Sequence, residues 1–276
     1  MSEPALNKII GTETARFYHD YLQVRGLEVS FDGFKAVGGI DLTVTQGDLR
    51  FLIGPNGAGK TTTIDALTGL VVATGSATFG DRELLGSPSH KVARLGVGRT
   101  FQTASVFEEL TVLQNLDIAA GAKRGLSAML RRVKTLPEVV FDALETVGLQ
   151  KQQHQLAGSL AHGQKQWLEI GMLLVQDAHL LLLDEPVAGM SQSEREETGQ
   201  LLRRVGAQRT VIVVEHDMEF MRNFAQSVTV MHLGKVLSEG SVQEVQNDPK
   251  VIEAYLGSSG GSRATHLSKT GETSKS

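Results

Sequence analysis

The sequence predicts an α/β protein with a mainly parallel, helix-covered sheet and a smaller helical lobe. Three short, mainly apolar runs, at residues 49–53, 180–183 and 211–214, alternate with segments of helical spacing. Between residues 111 and 156, apolar residues recur at three- and four-residue intervals and almost no strand pattern is visible. Buried strands joined by crossover helices form parallel sheets, so the runs predict the main sheet and the helix-only segment predicts the lobe.

Antiparallel strands are expected near both ends of the domain. Residues 27–31 and 40–44 alternate apolar and polar side chains, as half-exposed strands do, and residues 227–238 read as a hairpin turned at Gly234. Residues 1–23 are polar and form an N-terminal extension. Residues 257–276 are rich in Ser, Gly and Thr and are expected to be disordered, because they bury too little surface to offset their ordering entropy. One domain, residues 24–256, remains, with its helical subdomain at about 103–175.

Composition excludes several classes of protein. The formal net charge of −4 argues against a broad non-specific grip on nucleic acid. The chain has no cysteine, and therefore no disulfide, thiolate metal site or cysteine nucleophile. No apolar run approaches the ~20 residues of a membrane-spanning helix. We expect a soluble protein that reaches a membrane only through partners.

Residues 54–61, Gly-Pro-Asn-Gly-Ala-Gly-Lys-Thr, fit the phosphate-binding loop. Glycines let the backbone wrap a phosphate closely, and a helix beginning near Lys60 directs its positive end there. Lys60 is expected to reach the β and γ phosphates, and the Thr61 hydroxyl to hold Mg²⁺. A glycine-rich turn is the alternative, but the preceding strand and following helix match the motif. The predicted nucleotide-binding residues are Gly54, Pro55, Asn56, Gly57, Ala58, Gly59, Lys60, Thr61 and Thr62.

The apolar run 180–183 ends in two acids, Asp184 and Glu185. A buried strand of an α/β sheet places such groups at the edge where ligands bind. Asp184 is expected to hold Mg²⁺, directly or through a water. Glu185 is expected to be the general base that polarises the attacking water, a role worth roughly 10²–10⁴-fold in rate. The alternative, a solvated acidic turn, loses weight because the phosphate loop is in the same chain.

Two further polar residues are candidates for the same site. His216 directly follows the run 211–214, and an imidazole at a strand end can bond a γ phosphate and hold the water. Gln102 precedes the helical insert, where its carbonyl could reach Mg²⁺ or the water. Taken alone, such a histidine is more often structural and a lone glutamine carries no weight. The order of phosphate loop, acid strand, next strand and histidine is what favours a role for His216.

This order and spacing resemble the nucleotide-binding subunit of ABC transporters over about residues 24–256. The resemblance implies a P-loop NTPase fold, a RecA-like sheet with an antiparallel β subdomain and an inserted α-helical subdomain, and an ATPase that uses ATP and Mg²⁺. Residues 99–102, 163–170 and 184–190 look like the branched-chain amino-acid and urea uptake group, most of all the ATPase of urea importers. Urea as the solute follows from this resemblance alone, and branched-chain amino-acid import is the alternative.

Some residues gain a role only from the resemblance. Phe31 lies where the family stacks an aromatic ring on adenine, although a strand-end core aromatic is the alternative. The segment Ala161, His162, Gly163 and Gln164 lies at the signature loop, which completes the nucleotide site of a partner subunit. Two positions depart from the family pattern: Ala161-His162 replaces Ser-Gly, and Ser191 replaces Asp. Ser191 and Glu194 instead predict a capping box at the start of a helix.

The resemblance also implies partners and a location. The partners are a second ATPase subunit, two membrane permease subunits, and a periplasmic or extracellular solute-binding protein. The altered signature suggests that the second ATPase subunit is not identical to this chain. The chain would then lie at the cytoplasmic face of the membrane, and no nucleic acid is expected. One rival is a non-transport ABC ATPase acting on DNA or ribosomes, disfavoured by the absence of a long heptad insert and of a basic stripe. Another is a different P-loop enzyme, such as a kinase, in which the signature-like segment would be accidental.

Overall fold

The computed structural model describes residues 21–101, 104–121 and 136–259, with side chains described up to Tyr255. The strands are β1 (Leu22–Phe31), β2 (Phe34–Val44), β3 (Leu49–Ile53), β4 (Thr74–Phe79), β5 (Arg82–Glu83), β6 (Val97–Arg99), β7 (Leu180–Asp184), β8 (Thr210–Glu215), β9 (Ser227–His232) and β10 (Lys235–Gly240). The α-helices are α1 (Lys60–Leu67), α2 (Ser89–Arg94), α3 (Val112–Gly121), α4 (Glu138–Thr146), α5 (His162–Val175), α6 (Gln192–Gly206), α7 (Met218–Phe224), α8 (Val242–Asn247) and α9 (Pro249–Ser259).

The main sheet has six strands in the order β10-β9-β3-β8-β7-β6. All neighbours pair in parallel except β9 and β10, which form the predicted hairpin. The mainly parallel sheet predicted from the apolar runs is therefore confirmed. Because parallel strands end at one edge, the carboxyl ends of β3, β7 and β8 lie side by side. This edge carries the phosphate loop, Asp184 and Glu215.

The first two strands belong to a separate four-stranded antiparallel sheet, in the order β2-β1-β4-β5. Asp32 and Gly33 connect β1 to β2 with φ of 46° and 86°, the positive values that a two-residue hairpin turn requires. β1 begins at Leu22, which is fully buried and pairs with both Val44 and Phe79, so the strand starts inside the segment predicted as an extension. At the other end, α9 continues to Ser259, three residues past the predicted domain end.

Alternate residues of the main-sheet strands face two different hydrophobic cores. Phe51, Leu181 and Val213 join the core that holds the lobe and helices α5 and α6. Leu52, Leu182 and Ile212 join the core shared with α1 and the antiparallel sheet. The period-two alternation of buried strands thus fixes the sheet between two layers. Within the described chain, no helix is both long and apolar enough to cross a membrane.

The lobe consists of α3, α4 and the first part of α5, with Thr111 and Leu156 joined by an isolated antiparallel bridge. Trp167 on α5 links the lobe to α6, because its Nε1 donates a hydrogen bond of 2.8 Å to Thr198 Oγ1. No element was predicted from the sequence at β4, β5, β6 or α2. β5 and β6 are only two and three residues long, too short to show a pattern.

Candidate nucleotide-binding and hydrolysis site

The phosphate loop leaves β3 and enters α1, as its sequence requires. Gly54 lies so close to β9 that a Cβ there would be 2.2 Å from Met231 O, and Gly59 has φ of 97° with Ala36 O 2.7 Å from such a Cβ. Only glycine fits either position. The loop and Glu185 line a polar cavity of about 340 Å³, whose lining residues are Asn56, Gly57, Ala58, Gly59, Lys60, Thr61, Thr62 and Glu185. The backbone therefore forms a concave surface that a phosphate chain can enter.

Lys60 folds back over this loop. Its Nζ donates to Gly54 O at 2.7 Å and to Pro55 O at 3.2 Å, and the residue is only 6% exposed. Burial lowers the pKa of Lys60, while the nearby carboxylates of Glu185, Asp184 and Glu215 act to raise it. The lysine is thus a buried cation held by loop carbonyls and close to acids, at the position where a polyphosphate would compete for it.

Thr61 and Asp184 meet as the metal prediction requires. Thr61 Oγ1 donates to Asp184 Oδ1 at 3.2 Å, and Asp184 is 1% exposed. Burial raises the pKa of Asp184, against the lowering effects of the Arg99 guanidinium and the Thr61 hydroxyl. A hydroxyl and a carboxylate are hard oxygen ligands of the kind Mg²⁺ takes when it keeps waters and binds substrate phosphates. The donors present therefore fit a magnesium–nucleotide complex.

Glu185 and His216 come together across two neighbouring strands. Glu185 Oε1 lies 3.3 Å from His216 Nδ1, and the Glu185 N–H donates to Val214 O at 2.9 Å. Glu185 has φ of 50°, in the left-handed region that residues with a Cβ rarely adopt. His216 is 55% exposed and thus accessible to a ligand. The two predicted hydrolysis residues therefore form one pair beside the loop, whereas Gln102 lies outside the described residues.

Three residues of this edge were not predicted. Arg99 forms ion pairs with Asp65 and with Asp184 Oδ2, the latter at 3.4 Å, and its guanidinium lies 5.0 Å above the Phe101 ring. Glu215 is a buried acid at the end of β8. A charged residue within or beside an otherwise apolar strand was the available signal for Arg99 and Glu215. Asp65 lies on a helix without an unusual pattern, so no sequence signal pointed to it.

The predicted adenine-stacking residue, Phe31, ends β1 and is 46% exposed, so it is not a core aromatic. The ring is accessible on the hairpin of the antiparallel sheet. The next strand of that sheet, β2, reaches the phosphate loop, since Ala36 O lies beside Gly59. Phe31 therefore stays a prediction, with the exposure that stacking needs.

The signature segment lies at the start of α5. Ala161 is the residue before the helix, its N–H donates to Gln164 Oε1 at 3.1 Å, and His162 is exposed. A Cβ at Gly163 would lie 3.2 Å from Glu194 Oε1. Glu194 also caps α6 with Ser191, as predicted: its Oε2 accepts from the Ser191 N–H at 2.9 Å and from its hydroxyl at 2.7 Å. One carboxylate therefore lies at the N-termini of both α5 and α6.

The comparison with protein families identifies this arrangement. The profile of the ABC transporter family matches residues 37–188, more than half of the chain. The chain belongs to the ABC transporter family of ATP-binding proteins. A second profile, of branched-chain amino acid ATP-binding cassette transporters, matches residues 235–260. These findings confirm the predicted ABC ATPase, an enzyme that hydrolyses ATP to drive transport.

Individual relatives place the chain within the branched-chain amino acid transporter group of ABC ATPases. It is 36% identical to the high-affinity branched-chain amino acid transport ATP-binding protein LivG of Salmonella typhimurium, over 86% of this chain and 97% of LivG. It is equally similar to BraF of Pseudomonas aeruginosa, at 36% identity and the same coverage. Neither LivG nor BraF is named for urea, so these two relatives do not support the finer expectation of urea uptake.

Solved structures agree on the fold. The ADP conformation of MJ1267, an ATP-binding cassette of an ABC transporter, has a TM-score of 0.76 at 30% identity and covers 87% of this chain and 99% of its own. CbiO1 of Clostridium perfringens, part of the transporter complex cbiONQ, has a TM-score of 0.74 at 27% identity, covering 85% and 94%. The predicted P-loop NTPase fold with its antiparallel β subdomain is confirmed.

Proposed function

We propose that this subunit couples ATP hydrolysis to uptake of a branched-chain amino acid, as one of two ATPase subunits bound to a pair of permeases. The group membership supports this solute over urea, because the named relatives transport branched-chain amino acids. A solute-binding protein would deliver the solute from outside, and the chain would lie at the cytoplasmic face of the membrane. Urea is the alternative solute, and it rests only on the resemblance of the chain, including residues 99–102, 163–170 and 184–190, to the branched-chain amino-acid and urea uptake group.

The single observation that carries the hydrolytic role is the contact of Glu185 with His216 beside the phosphate loop. Lys60 would transfer its Nζ bonds from the loop carbonyls to the β and γ phosphates, because a charged acceptor forms the stronger hydrogen bond. Thr61 and Asp184 would hold Mg²⁺, which supplies charge neutralisation at the phosphates when bound. Phe31 would stack on adenine, and Gln102 stays a predicted ligand of the metal or the water.

The chemical step follows from the pair. Glu185 accepts a proton from the attacking water at a carboxylate oxygen while the water oxygen bonds to the γ phosphorus and the bond from that phosphorus to the β–γ bridging oxygen breaks, so that ADP and phosphate leave. The His216 ring contacts Glu185 through Nδ1, which leaves Nε2 to face the γ phosphate. The signature segment, Ala161 to Gln164, would contact nucleotide bound by the second ATPase subunit. The N–H groups at the start of α5 suit an anion at that position.

Uptake by the assembled transporter tests the proposal. The complex, purified from membranes through a tag on this full-length chain, is reconstituted in liposomes with internal ATP and external solute-binding protein. We expect ATP-dependent accumulation of labelled leucine, and none with Lys60→Ala. Accumulation of labelled urea without leucine would replace the solute with urea. Recovery of ribosomal proteins or DNA, without permeases, would favour the non-transport ATPase instead.

A further inference from the structure

A buried carboxylate behind the catalytic pair has no part in the mechanism above. Glu215 is the last residue of β8 and is 1% exposed. It pairs in register with Ile53 at the end of β3, and its strand neighbour Val214 pairs with Asp184. Glu215 therefore lies in the central strand of the site, next to the phosphate loop and the acid strand.

Both oxygens of Glu215 accept from backbone N–H groups of the catalytic segments. Oε1 accepts from Val187 N at 3.4 Å, and Oε2 accepts from His216 N at 3.2 Å. Val187 belongs to the turn that follows Glu185, which is closed by a hydrogen bond from Ala188 N to Glu185 O at 3.1 Å. One side chain thus joins the backbone of the Glu185 turn to the backbone of His216.

The link made by Glu215 lies next to an unfavourable backbone conformation. Glu185 has φ of 50°, a conformation that persists only when its surroundings hold it. Its contact with His216 joins the ends of two strands and is made by one partly exposed and one largely exposed side chain. Surface side chains alone would not keep such a pair in one geometry, because each retains rotamer freedom.

We propose that Glu215 is a positioning residue that sets the geometry of the Glu185–His216 pair by accepting the backbone N–H groups of Val187 and His216. The inference rests on the proposed function, since it acts only through that pair. A carboxylate suits the position because both neighbours are donors. Burial raises the pKa of Glu215 to about 7, while the two backbone N–H groups act to lower it.

The substitution Glu215→Gln isolates this role. The amide keeps the shape of the side chain, but its NH₂ group faces one of the two N–H donors, so one bond is lost and two donors oppose each other. In the purified transporter complex we expect kcat for ATP hydrolysis to fall about tenfold, with nucleotide affinity within about twofold of wild type. The matched control is Glu239→Gln, a paired carboxylate of β10 that accepts from Arg50 at 2.8 Å, and its kcat should not change.

A double-mutant cycle separates positioning from general structural support. If Glu215 acts through the pair, Glu215→Gln should cost a smaller fold-loss of activity in a His216→Ala background than in wild type, because only its bond to the Glu185 turn still contributes there. An equal fold-loss in both backgrounds would overturn the proposal, and so would unchanged kcat in the single variant. Unchanged kcat in Glu185→Gln would instead overturn the proposed hydrolytic mechanism, so the two failures are distinguishable.

Hydrogen exchange gives a test that needs no variant to fold. In the folded wild-type complex, the N–H groups of Val187 and His216 should exchange slowly, because Glu215 accepts both. If Glu215→Gln folds, these two should exchange faster while the β3 amides stay protected. Rapid exchange of either N–H in the wild-type protein would contradict the proposed bonds.

Discussion

The phosphate-loop edge and the signature segment are built in opposite ways. At the edge, Lys60, Thr61 and Asp184 are held by contacts within this chain, and each bonds to a neighbour of the same site. At the signature segment, Ala161 and His162 are exposed, and Gly163 lies beside Glu194 of α6. The first region brings its own donors and acceptors together, whereas the second, under the proposed function, would be one side of a site that a second subunit completes. Four changes, given from the largest expected effect to the smallest, test this difference.

The substitution Glu185→Gln should have the largest effect, because it removes the proposed proton acceptor from the edge without changing its shape. We expect kcat for ATP hydrolysis by the assembled complex to fall by at least about 100-fold, with MgATP affinity nearly unchanged. Steady-state hydrolysis and calorimetry measure the two quantities. Glu219→Gln, an exposed glutamate on α7, is the matched control. Normal hydrolysis by Glu185→Gln would remove Glu185 from the mechanism.

Lys60→Ala tests whether the edge binds nucleotide without help from a partner. The Lys60 cation is held inside the loop, and a hydrogen bond to a charged group contributes roughly 1.5–3 kcal/mol, so affinity for MgATP should fall more than about tenfold. Calorimetry on the isolated chain makes the measurement. Lys91→Ala, at an exposed position on α2, should bind as wild type does. An affinity of Lys60→Ala within twofold of wild type would mean that the loop backbone alone holds the phosphates.

Glu169 provides a pH-dependent test on the signature helix. It is 4% exposed on α5 and accepts from Ser105 N at 3.3 Å, and burial raises its pKa to about 7. Because the folded-state pKa is above the unfolded value, the folded state binds the proton more tightly. The stability that protonation contributes is therefore present at low pH and lost as pH rises through about 7.

The variant Glu169→Gln should not show this loss. The quantity to compare is the free energy of unfolding of Glu169→Gln minus that of wild type. This difference should be more positive at pH 8 than at pH 5 by about 1–2 kcal/mol. Urea unfolding of both proteins at the two pH values gives the difference, and the comparison cancels Glu215, whose raised pKa has the same sign. A difference that does not change with pH would mean that Glu169 is not the titrating group.

The signature residues should have the smallest effect, and only on assembly. If His162 donates to a phosphate bound by the partner ATPase, His162→Ala should weaken ATP-dependent closure by about 1 kcal/mol, and Ala161→Ser should partly restore it in the double mutant. The Glu185→Gln background prevents turnover while association is measured. Nucleotide binding by the isolated chain should not change. Equal closure by wild type and His162→Ala would leave the N-terminus of α5 as the contribution of this segment.

The same contrast shows which features of the protein could be predicted from the sequence. Phosphate loop, acid strand and histidine were predictable because their chemistry depends on residue type at fixed spacing within local segments. The capping box at Ser191 was predictable for the same reason. Arg99 and Glu215 were not assigned roles, because their partners Asp65, Asp184 and Val187 are distant in sequence and come close only in the folded chain. Strands of two or three residues, such as β5 and β6, are formed by pairing with longer neighbours rather than by a pattern of their own.

Because the main sheet separates the two hydrophobic cores, substitutions in one core should destabilise the protein independently of substitutions in the other. Leu116 in the lobe and Ile64 on α1 are both fully buried, but they belong to cores on opposite faces of the main sheet. Cavities made at such positions share no side-chain partners, and the destabilisation they cause adds independently. The lobe can therefore accumulate substitutions, at some cost in stability, without altering the packing of α1 against the antiparallel sheet. Substitutions in the core on one face of the sheet therefore leave the packing of the core on the other face unchanged.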